Sequence, residues 1–295
     1  MADNMHAKKS LGQHFLRCDW VADTLIAAAQ LTKKDTVLEI GPGTGILTRP
    51  LAAASGQVIA VEKDERLADA LADALAHEQI RNVRIIKGDI LLLTQTKFGS
   101  DEWPKLSLGH KVVANIPYYL TGRLIRLLLE SPTKPSMIAL TIQKEVAERM
   151  VAAPPHMNPV RSKTPQASAA PIRSGRTSNR MNLLALGVQA FGTPRIIKIV
   201  PASCFSPKPK IDSAIIVISD ISDDFFTRNA IGQDEFFTLA RAAFGHKRKM
   251  LVNTLPSDDD KSIIAKKLAT LGISATARPE ELSLQNWADL TTLFS

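Results

Sequence analysis

A chain of 295 residues, 45% of them hydrophobic, can bury a sizeable core in one large domain with a smaller companion. Its net charge of +8 and pI near 9.5 fit a protein that contacts phosphate groups, although charge alone provides only non-specific affinity. The absence of a signal peptide and of any run approaching ~18 apolar residues predicts a cytoplasmic protein without a membrane partner.

Short apolar runs alternate with helical patterns in the first half of the chain. A helix is predicted at 18–31, and "RLADALADALAHE" has the apolar period of an amphipathic helix. The apolar runs, which we interpret as strands, are "TVLEIG" at 36–41, "QVIAVEKD" at 57–64, "VRIIKGDI" at 83–90, "KVVANIPY" at 111–118 and "SMIALTIQ" at 136–143. This alternation indicates βαβ units and a parallel, doubly wound α/β sheet.

The periodicity is lost after "KEVAERMVA". The stretch from Ala153 to Arg180 is rich in Pro, Ser and Arg and contains no acidic residue. It cannot bury enough apolar surface to become ordered, so we predict a basic, disordered insertion.

The rest of the chain divides into a strand pair and a helical region. "RIIKIVP" and "IDSAIIVIS" are close enough in sequence to pair as an antiparallel hairpin on the sheet edge. From about Asp223 onward only helical patterns occur, including "DEFFTLARAAFGHKRKMLVNTL". We therefore predict a mostly parallel α/β domain at 1–222 and a small all-α domain at 223–295.

The two cysteines are far apart in the sequence. Neither Cys18 nor Cys204 belongs to a CxxC pair, so the spacing indicates neither a disulfide framework nor a zinc site. We expect two free, buried thiols and no metal.

Three glycines follow the first strand of the predicted sheet. Gly41, Gly43 and Gly45 would let the backbone turn tightly and lie against a ligand. Their spacing is G-x-G-x-G, because Ile46 stands where a dinucleotide site has its third glycine. A nicotinamide dehydrogenase is therefore disfavoured.

Carboxylates stand at the ends of the next two strands. Glu62 lies about 20 residues after the first glycine, where an acidic side chain can accept hydrogen bonds from ribose hydroxyls. Asp89, in "KGDI", can accept from an adenine amine. Each alone is more often a solvated loop residue, but together they predict a nucleoside-binding crevice at the carboxyl ends of the strands.

Asn115 ends the fourth strand, beside that crevice. From the local sequence alone, a turn cap before Pro117 explains it as well as a functional role does. In the functional interpretation, its side-chain oxygen and the backbone carbonyl of Ile116 accept the hydrogens of an adenine N6 amine and aim the nitrogen lone pair at a methyl donor. Tyr118 would stack on the extruded base, and Phe205 is a candidate second wall.

Ordered motifs over nearly the whole chain resemble the KsgA/Dim family of ribosomal RNA adenine dimethyltransferases. They include "SLGQHFL", "EIGPGTG", "VEKD", "GDIL", "NIPYYL", "QKEVAERM", "FSPKPKIDSAI", "RAAFGHKRKMLVNTL" and "RPEELS". The resemblance implies a Rossmann-like methyltransferase sheet that binds S-adenosyl-L-methionine. It implies cofactor contacts at His14, Leu16, Gly41, Gly43, Glu62, Asp89, Ile90 and Asn115. His14 departs from the family, which usually has Asn there.

The resemblance further implies a substrate. The N6 amines of two adjacent adenosines, in a hairpin near the 3′ end of small-subunit (16S) rRNA, would each be methylated twice within a pre-30S particle. The predicted helix "RAAFGHKRKML" of the α domain would contact the RNA backbone through Arg241, Lys247, Arg248 and Lys249. We expect the enzyme to be a monomer.

Two other functions stay open. One is an Erm-type methyltransferase of large-subunit rRNA, against which Asp212 and "RPEELS" both argue. The other is a non-catalytic ribosome-assembly factor, which the intact Glu62, Asp89 and "NIPY" make less attractive. Titration with the cofactor would discriminate this last class from an enzyme.

Overall fold

The computed structural model describes residues 12–93, 106, 108–154, 180–246, 249–257 and 259–294. Its strands are β1 Phe15–Leu16, β2 Thr36–Ile40, β3 Gln57–Glu62, β4 Val83–Lys87, β5 Lys111–Asn115, β6 Met137–Gln143, β7 Thr193–Val200, β8 Phe205–Ser206 and β9 Ser213–Ser219. Its α-helices are α1 Asp19–Ala28, α2 Thr48–Ala54, α3 Glu65–His77, α4 Ile90–Leu93, α5 Thr121–Leu129, α6 Lys144–Met150, α7 Leu183–Gln189, α8 Asp224–Asn229, α9 Gln233–Phe244, α10 Lys261–Thr270 and α11 Leu284–Phe294. Most of the predicted insertion, 155–179, lies outside the described residues.

The main sheet has seven strands in the order β4-β3-β2-β5-β6-β9-β7. Strands β2 to β6 pair in parallel, whereas β9 is antiparallel to both β6 and β7. The predicted parallel sheet with an antiparallel edge hairpin is therefore confirmed. Because the chain first builds outward from β2 to β4 and then returns to add β5 on the other side, a topological switch point lies between β2 and β5.

The amino-acid pattern explains the layers. The central strand β5 is apolar on both faces, with Val112, Val113 and Ala114 fully buried, as a parallel strand covered by helices must be. Helix α3 buries one face, and Asp64 caps its N-terminus by accepting a hydrogen bond from the Arg66 N–H. Among the described residues, no helix is both apolar and long enough to cross a bilayer.

Packing divides the chain into two compact units. The first comprises 1–147 and 193–221, and the second comprises 148–192 and 222–295. Phe191 belongs to the second unit because its ring packs against Phe226 and Phe237 at 5.1 and 6.0 Å between centroids. Each unit thus combines two separate stretches of the chain, whereas we predicted a single boundary at residue 222. The assignment of one domain to methyl transfer and the other to RNA binding stays a prediction.

The two cysteines form a disulfide, so the prediction of free thiols is wrong. Strands β1 and β8 pair antiparallel with Leu16 opposite Phe205, and the Arg17 N–H donates to the Cys204 carbonyl at 2.8 Å. This pairing brings the Cα atoms of Cys18 and Cys204 to 5.2 Å although 186 positions separate them. Sequence spacing could not reveal a contact that depends on a long-range strand pair.

Helix α9 is shorter than the predicted helical pattern. It ends at Phe244, with Gly245 at its C-cap. Glycine has a low helix propensity, although Gly245 itself keeps right-handed dihedral angles (φ −59°, ψ −23°). Lys249 therefore lies beyond the helix that was expected to carry it.

Candidate functional site

A pocket opens in the first unit at the carboxyl ends of the central strands. It is lined by the segment leading into β1, the loop after β2, the ends of β3 and β4, the turn after β5, and Phe205 of β8. The loops after β2 and β5 flank the switch point, which is where open α/β sheets bind ligands. The topology alone therefore marks this edge of the sheet as a binding site.

The glycine loop shapes one wall of the pocket. Gly41 and Gly43 have φ angles of +69° and +57°, which side chains rarely adopt. A Cβ added to Gly43 would lie 3.3 Å from the Phe15 ring. The glycines thus permit the turn and keep side chains out of this wall of the pocket.

Glu62 is held by the main chain. Its Oε2 accepts from the Gly43 N–H at 3.0 Å and its Oε1 accepts from the Asp64 N–H at 2.9 Å. Burial raises the pKa of Glu62, although these two N–H groups oppose that change. Each carboxylate oxygen retains a further lone pair, so the fixed carboxylate can still accept hydrogen bonds from a ligand.

Glu39 is a site residue that sequence reasoning missed. It lies in β2, lines the pocket and is only 1% exposed, and no described residue forms a hydrogen bond to its Oε2. Burial raises the pKa of Glu39 to about 8, with Thr48 opposing and Glu62 adding to the shift. The available signal was a lone acidic residue within the apolar strand "TVLEI".

Asp89 follows β4 and is ion-paired. Its Oδ2 accepts from the Lys63 ammonium at 2.9 Å, and its Oδ1 accepts from the Leu91 N–H at 3.0 Å. Although burial acts to raise it, these two donors hold the pKa of Asp89 below its usual value. Ile90, also predicted as a contact, is buried beside it. Sequence reasoning did not identify Lys63 as a partner.

Asn115 ends β5 at the pocket. Its Nδ2 donates to the main-chain carbonyl of His14 at 3.3 Å, and no described residue donates to its Oδ1. The next residues turn sharply, with Pro117 at a φ of −57° before a 3₁₀ turn at Tyr118–Leu120. The amide oxygen is thus available to accept hydrogen bonds from a ligand.

Tyr118 is fixed on two sides. Its hydroxyl lies 2.8 Å from the Ser213 hydroxyl, and its ring stacks on the His14 imidazole with 5.4 Å between centroids and 28° between planes. Nδ1 of His14 lies 2.7 Å from the carbonyl of Pro207. Burial raises the pKa of Tyr118, so the phenol stays protonated at neutral pH. Ser213 is another residue that sequence reasoning missed.

The structure brings the predicted cofactor and catalytic residues to one pocket, while their individual roles stay predictions. These residues are His14, Leu16, Gly41, Gly43, Glu62, Asp89, Ile90, Asn115, Pro117, Tyr118 and Phe205. The predicted RNA contacts belong to the second unit, where Arg241 and Lys249 are exposed. Lys247 and Arg248 lie outside the described residues.

The sheet is doubly wound, and the pocket at its switch point is of the kind that binds a nucleoside. These two features define the class of Rossmann-like proteins that bind nucleotide cofactors. The family model for ribosomal RNA adenine dimethylase matches residues 4–161 and 165–295. The chain therefore belongs to the ribosomal RNA adenine dimethylase family.

Individual relatives agree with this assignment. The chain is 36% identical over 288 residues to ribosomal RNA small subunit methyltransferase A of Dehalococcoides mccartyi, covering 97% of this chain and 88% of the relative. It is also 36% identical over 292 residues to the protein of that name from a Nostoc species, covering 97% of each.

Solved structures show the same fold. A dimethyladenosine transferase from Plasmodium falciparum is 26% identical with a TM-score of 0.71, over 94% of this chain and 96% of that one. The 23S rRNA methyltransferase ErmE is 23% identical with a TM-score of 0.64, over 95% and 99% of the two chains, and shows similarity of fold alone.

Proposed function

We propose that this chain uses S-adenosyl-L-methionine to dimethylate the N6 amines of two adjacent adenosines near the 3′ end of small-subunit (16S) rRNA. The observation that carries the proposal is the position of Asn115, whose amide shares one pocket with Glu62, Asp89 and Tyr118. Membership of the adenine dimethylase family and relatives named small subunit methyltransferase A support the choice of RNA.

The residues of the pocket fit a nucleoside cofactor. The backbone at Gly43 can approach a ligand closely, and a cationic group near the unpartnered Oε2 of Glu39 would lower the raised pKa of that carboxyl so that it accepts as a carboxylate. We assign Glu62 to the ribose hydroxyls and Asp89 to the adenine amine. When bound, S-adenosyl-L-methionine supplies an electrophilic methyl group on a sulfonium.

Asn115 would activate the target amine by accepting its hydrogens. The adenine N6 lone pair is delocalised into the ring, so the free amine is a poor nucleophile. Because the Asn115 Nδ2 donates to the His14 carbonyl, the side-chain oxygen is oriented to accept. With the Ile116 carbonyl as second acceptor, the nitrogen is held closer to tetrahedral and its lone pair is aimed. No strong base is required.

Tyr118 would hold the base after it leaves the RNA helix. A target adenine must be extruded to reach a pocket of this kind, and stacking on an aromatic ring contributes about 1–3 kcal/mol per base. Phe205, which is buried in β8 and lines the same pocket, provides a further apolar surface.

The helical unit would contact the RNA backbone. Arg241 and Lys249 are exposed there, and a basic protein of pI near 9.5 gains affinity for phosphates by releasing counterions. The proposal includes a pre-30S particle as substrate, a monomeric enzyme and a cytoplasmic location.

Methylation of purified ribosomal subunits tests the proposal. Small subunits from cells lacking the endogenous methyltransferase would be incubated with the protein and labelled cofactor, and the modified nucleotide mapped by primer extension and mass spectrometry. We expect dimethyladenosine at two adjacent positions near the 3′ end. Large subunits form the matched control, and label confined to them would replace the proposal with an Erm-type activity.

A further inference from the structure

We propose that His14 and Ser213 are positioning residues that fix the plane of the Tyr118 ring and leave one defined face of it to the target base. This inference rests on the proposed function, in which Tyr118 stacks on an extruded adenine. It concerns how that stacking surface is oriented.

The hydroxyl end of Tyr118 is anchored to a rigid strand. Its oxygen lies 2.8 Å from Oγ of Ser213, which is fully buried. Ser213 begins β9 and pairs with Gln143 of β6 on one side and Val200 of β7 on the other. A hydrogen bond to a residue between two paired strands prevents the phenol from swinging about its side-chain torsions.

One face of the Tyr118 ring is covered by His14. The two rings stack at 5.4 Å with 28° between their planes, and Tyr118 is half-buried. A base that stacks on Tyr118 while His14 stays in place must therefore use the opposite face. Stacked aromatic pairs gain about 0.5–1.5 kcal/mol beyond their area burial, which corresponds to roughly 2- to 12-fold.

His14 is itself held in place. The Pro207 carbonyl can only accept, so Nδ1 of His14 carries the proton that it donates at 2.7 Å. The main-chain carbonyl of His14 accepts from Nδ2 of Asn115 at 3.3 Å. His14 thus contacts both Asn115, the proposed acceptor of the target amine, and the Tyr118 ring. It fixes the position and orientation of these two groups relative to each other.

This relation matters because methyl transfer requires a narrow geometry. Groups at a reacting centre must be held within about 0.5 Å and 10–20° of the productive arrangement. Rotation of the Tyr118 plane would move the N6 amine away from the Asn115 oxygen even when the base is bound. Loss of positioning should therefore lower the rate of transfer while cofactor binding is retained.

A double-mutant cycle tests the anchor at Ser213. The variants Ser213→Ala, Tyr118→Phe and the combination would be assayed on undermethylated small subunits, with cofactor affinity measured separately by calorimetry. Each single variant should lose about 2- to 10-fold in kcat/KM for the subunits, the range for one neutral hydrogen bond, and the combination should lose no more. Ser219→Ala, at the other end of β9 and outside the pocket, is the matched control and should keep wild-type activity.

A second pair of variants separates the two contacts of His14. His14→Asn, which restores the residue usual in the family, keeps a polar side chain but loses the ring, whereas His14→Phe keeps the ring but loses the donor. Both should lower the single-turnover rate at saturating cofactor by about 2- to 12-fold. Because His14 is also a predicted cofactor contact, the positioning role is measured at saturating cofactor, where a change in cofactor affinity does not alter the single-turnover rate.

The outcomes distinguish this inference from the proposed function. Absence of methylation by the wild-type protein would overturn both. Wild-type methylation, together with additive losses in the Ser213 cycle or with a His14→Asn defect confined to cofactor affinity, would overturn this inference alone.

Discussion

The two ends of the pocket are held together by different kinds of contact. At the cofactor end, which comprises Gly43, Glu62 and Asp89, main-chain N–H groups and a neighbouring lysine fix carboxylates that follow adjacent parallel strands. At the target end, which comprises His14, Asn115 and Tyr118, the contacts join residues 95 and 101 positions apart in the chain.

This difference separates a locally encoded site from a long-range one. The cofactor end is formed by successive strands β2, β3 and β4 and their loops, so one region of the chain contains all its parts. The target end exists only where β1 has paired with β8 and β9 has joined the sheet. Perturbations of the two ends should therefore produce separable defects.

The largest expected effect comes from Asn115→Ala at the target end. Loss of the amide should lower kcat by about 10²- to 10³-fold, the range for removing one preorganised polar group that acts on the reacting atoms. Cofactor affinity, measured by calorimetry, should largely survive, because Asn115 is only one of several predicted cofactor contacts. Full activity in this variant would rule out the amide as the acceptor of the target amine.

The disulfide joins the segments next to β1 and β8, which form part of the target end, and its removal should lower the stability of the protein. The double variant Cys18→Ser/Cys204→Ser should lose about 2–4 kcal/mol in free energy of unfolding, because the bond closes a very long loop in the unfolded chain. Urea denaturation without reductant measures the loss. Wild-type protein unfolded with a dithiol reductant is the control and should match the variant, whereas equal stability of oxidised wild type and variant would contradict the prediction.

Glu62→Gln should lower cofactor affinity rather than kcat, which is the reverse of the effect expected for Asn115→Ala. In the wild type both carboxylate oxygens accept from backbone N–H groups, those of Gly43 and Asp64. The glutamine amide has only one oxygen, and its NH₂ group cannot accept, so one of the two hydrogen bonds is lost. Cofactor affinity should fall about 10- to 100-fold, in the range for hydrogen bonds to charged groups, while kcat at saturating cofactor falls much less. A kcat defect with normal cofactor affinity would place Glu62 at the target end.

Glu39 should make stability pH-dependent in the cofactor-free protein. Its pKa is raised from 4.5 to about 8 by burial, so the native state binds more protons than the unfolded state between these values. The free energy of unfolding should therefore fall as pH rises from about 4.5 to about 8, by up to about 1.4 kcal/mol per pH unit from this carboxyl. Glu39→Gln should show a shallower decline over the same window, and parallel curves would refute the assignment.

The smallest effect is expected for Lys63→Met. The ion pair of Lys63 with Asp89 is partly exposed, with half of the lysine side chain accessible, so it is screened by solvent. Cofactor affinity should fall by only about 1.5- to 5-fold, the range for an exposed pair. Lys63→Arg should restore it, and a loss as large as that of Glu62→Gln would mean that Lys63 contacts the ligand itself.

Sequence patterns predicted the sheet, and every residue predicted for the cofactor or the catalytic site lines the pocket. Strand alternation and the positions of Gly41, Glu62, Asp89 and Asn115 at strand ends are local features that obey the topology of parallel sheets. The end of α9 at Phe244 was missed although Gly245 gave a local signal.

Other contacts had no local signal. The Cys18–Cys204 bond and the Tyr118–Ser213 hydrogen bond both depend on how strands distant in sequence pair. Glu39 gave a partial signal as the lone acidic residue of a buried strand, but only the structure shows that no described residue forms a hydrogen bond to its Oε2. Periodicity reports which face of an element is buried, but not which distant side chain meets it there.

The pairing of β1 with β8 also bears on the synthesis of the protein. A nascent chain that ends before residue 204 contains Gly43, Glu62 and Asp89 but lacks Phe205 and Ser213. Since domains generally fold as their chain emerges from the N-terminus, we expect the cofactor end to form earlier than the target end. A chain arrested at that length on its ribosome should therefore be unable to place an adenine, which a methylation assay of arrested chains would show.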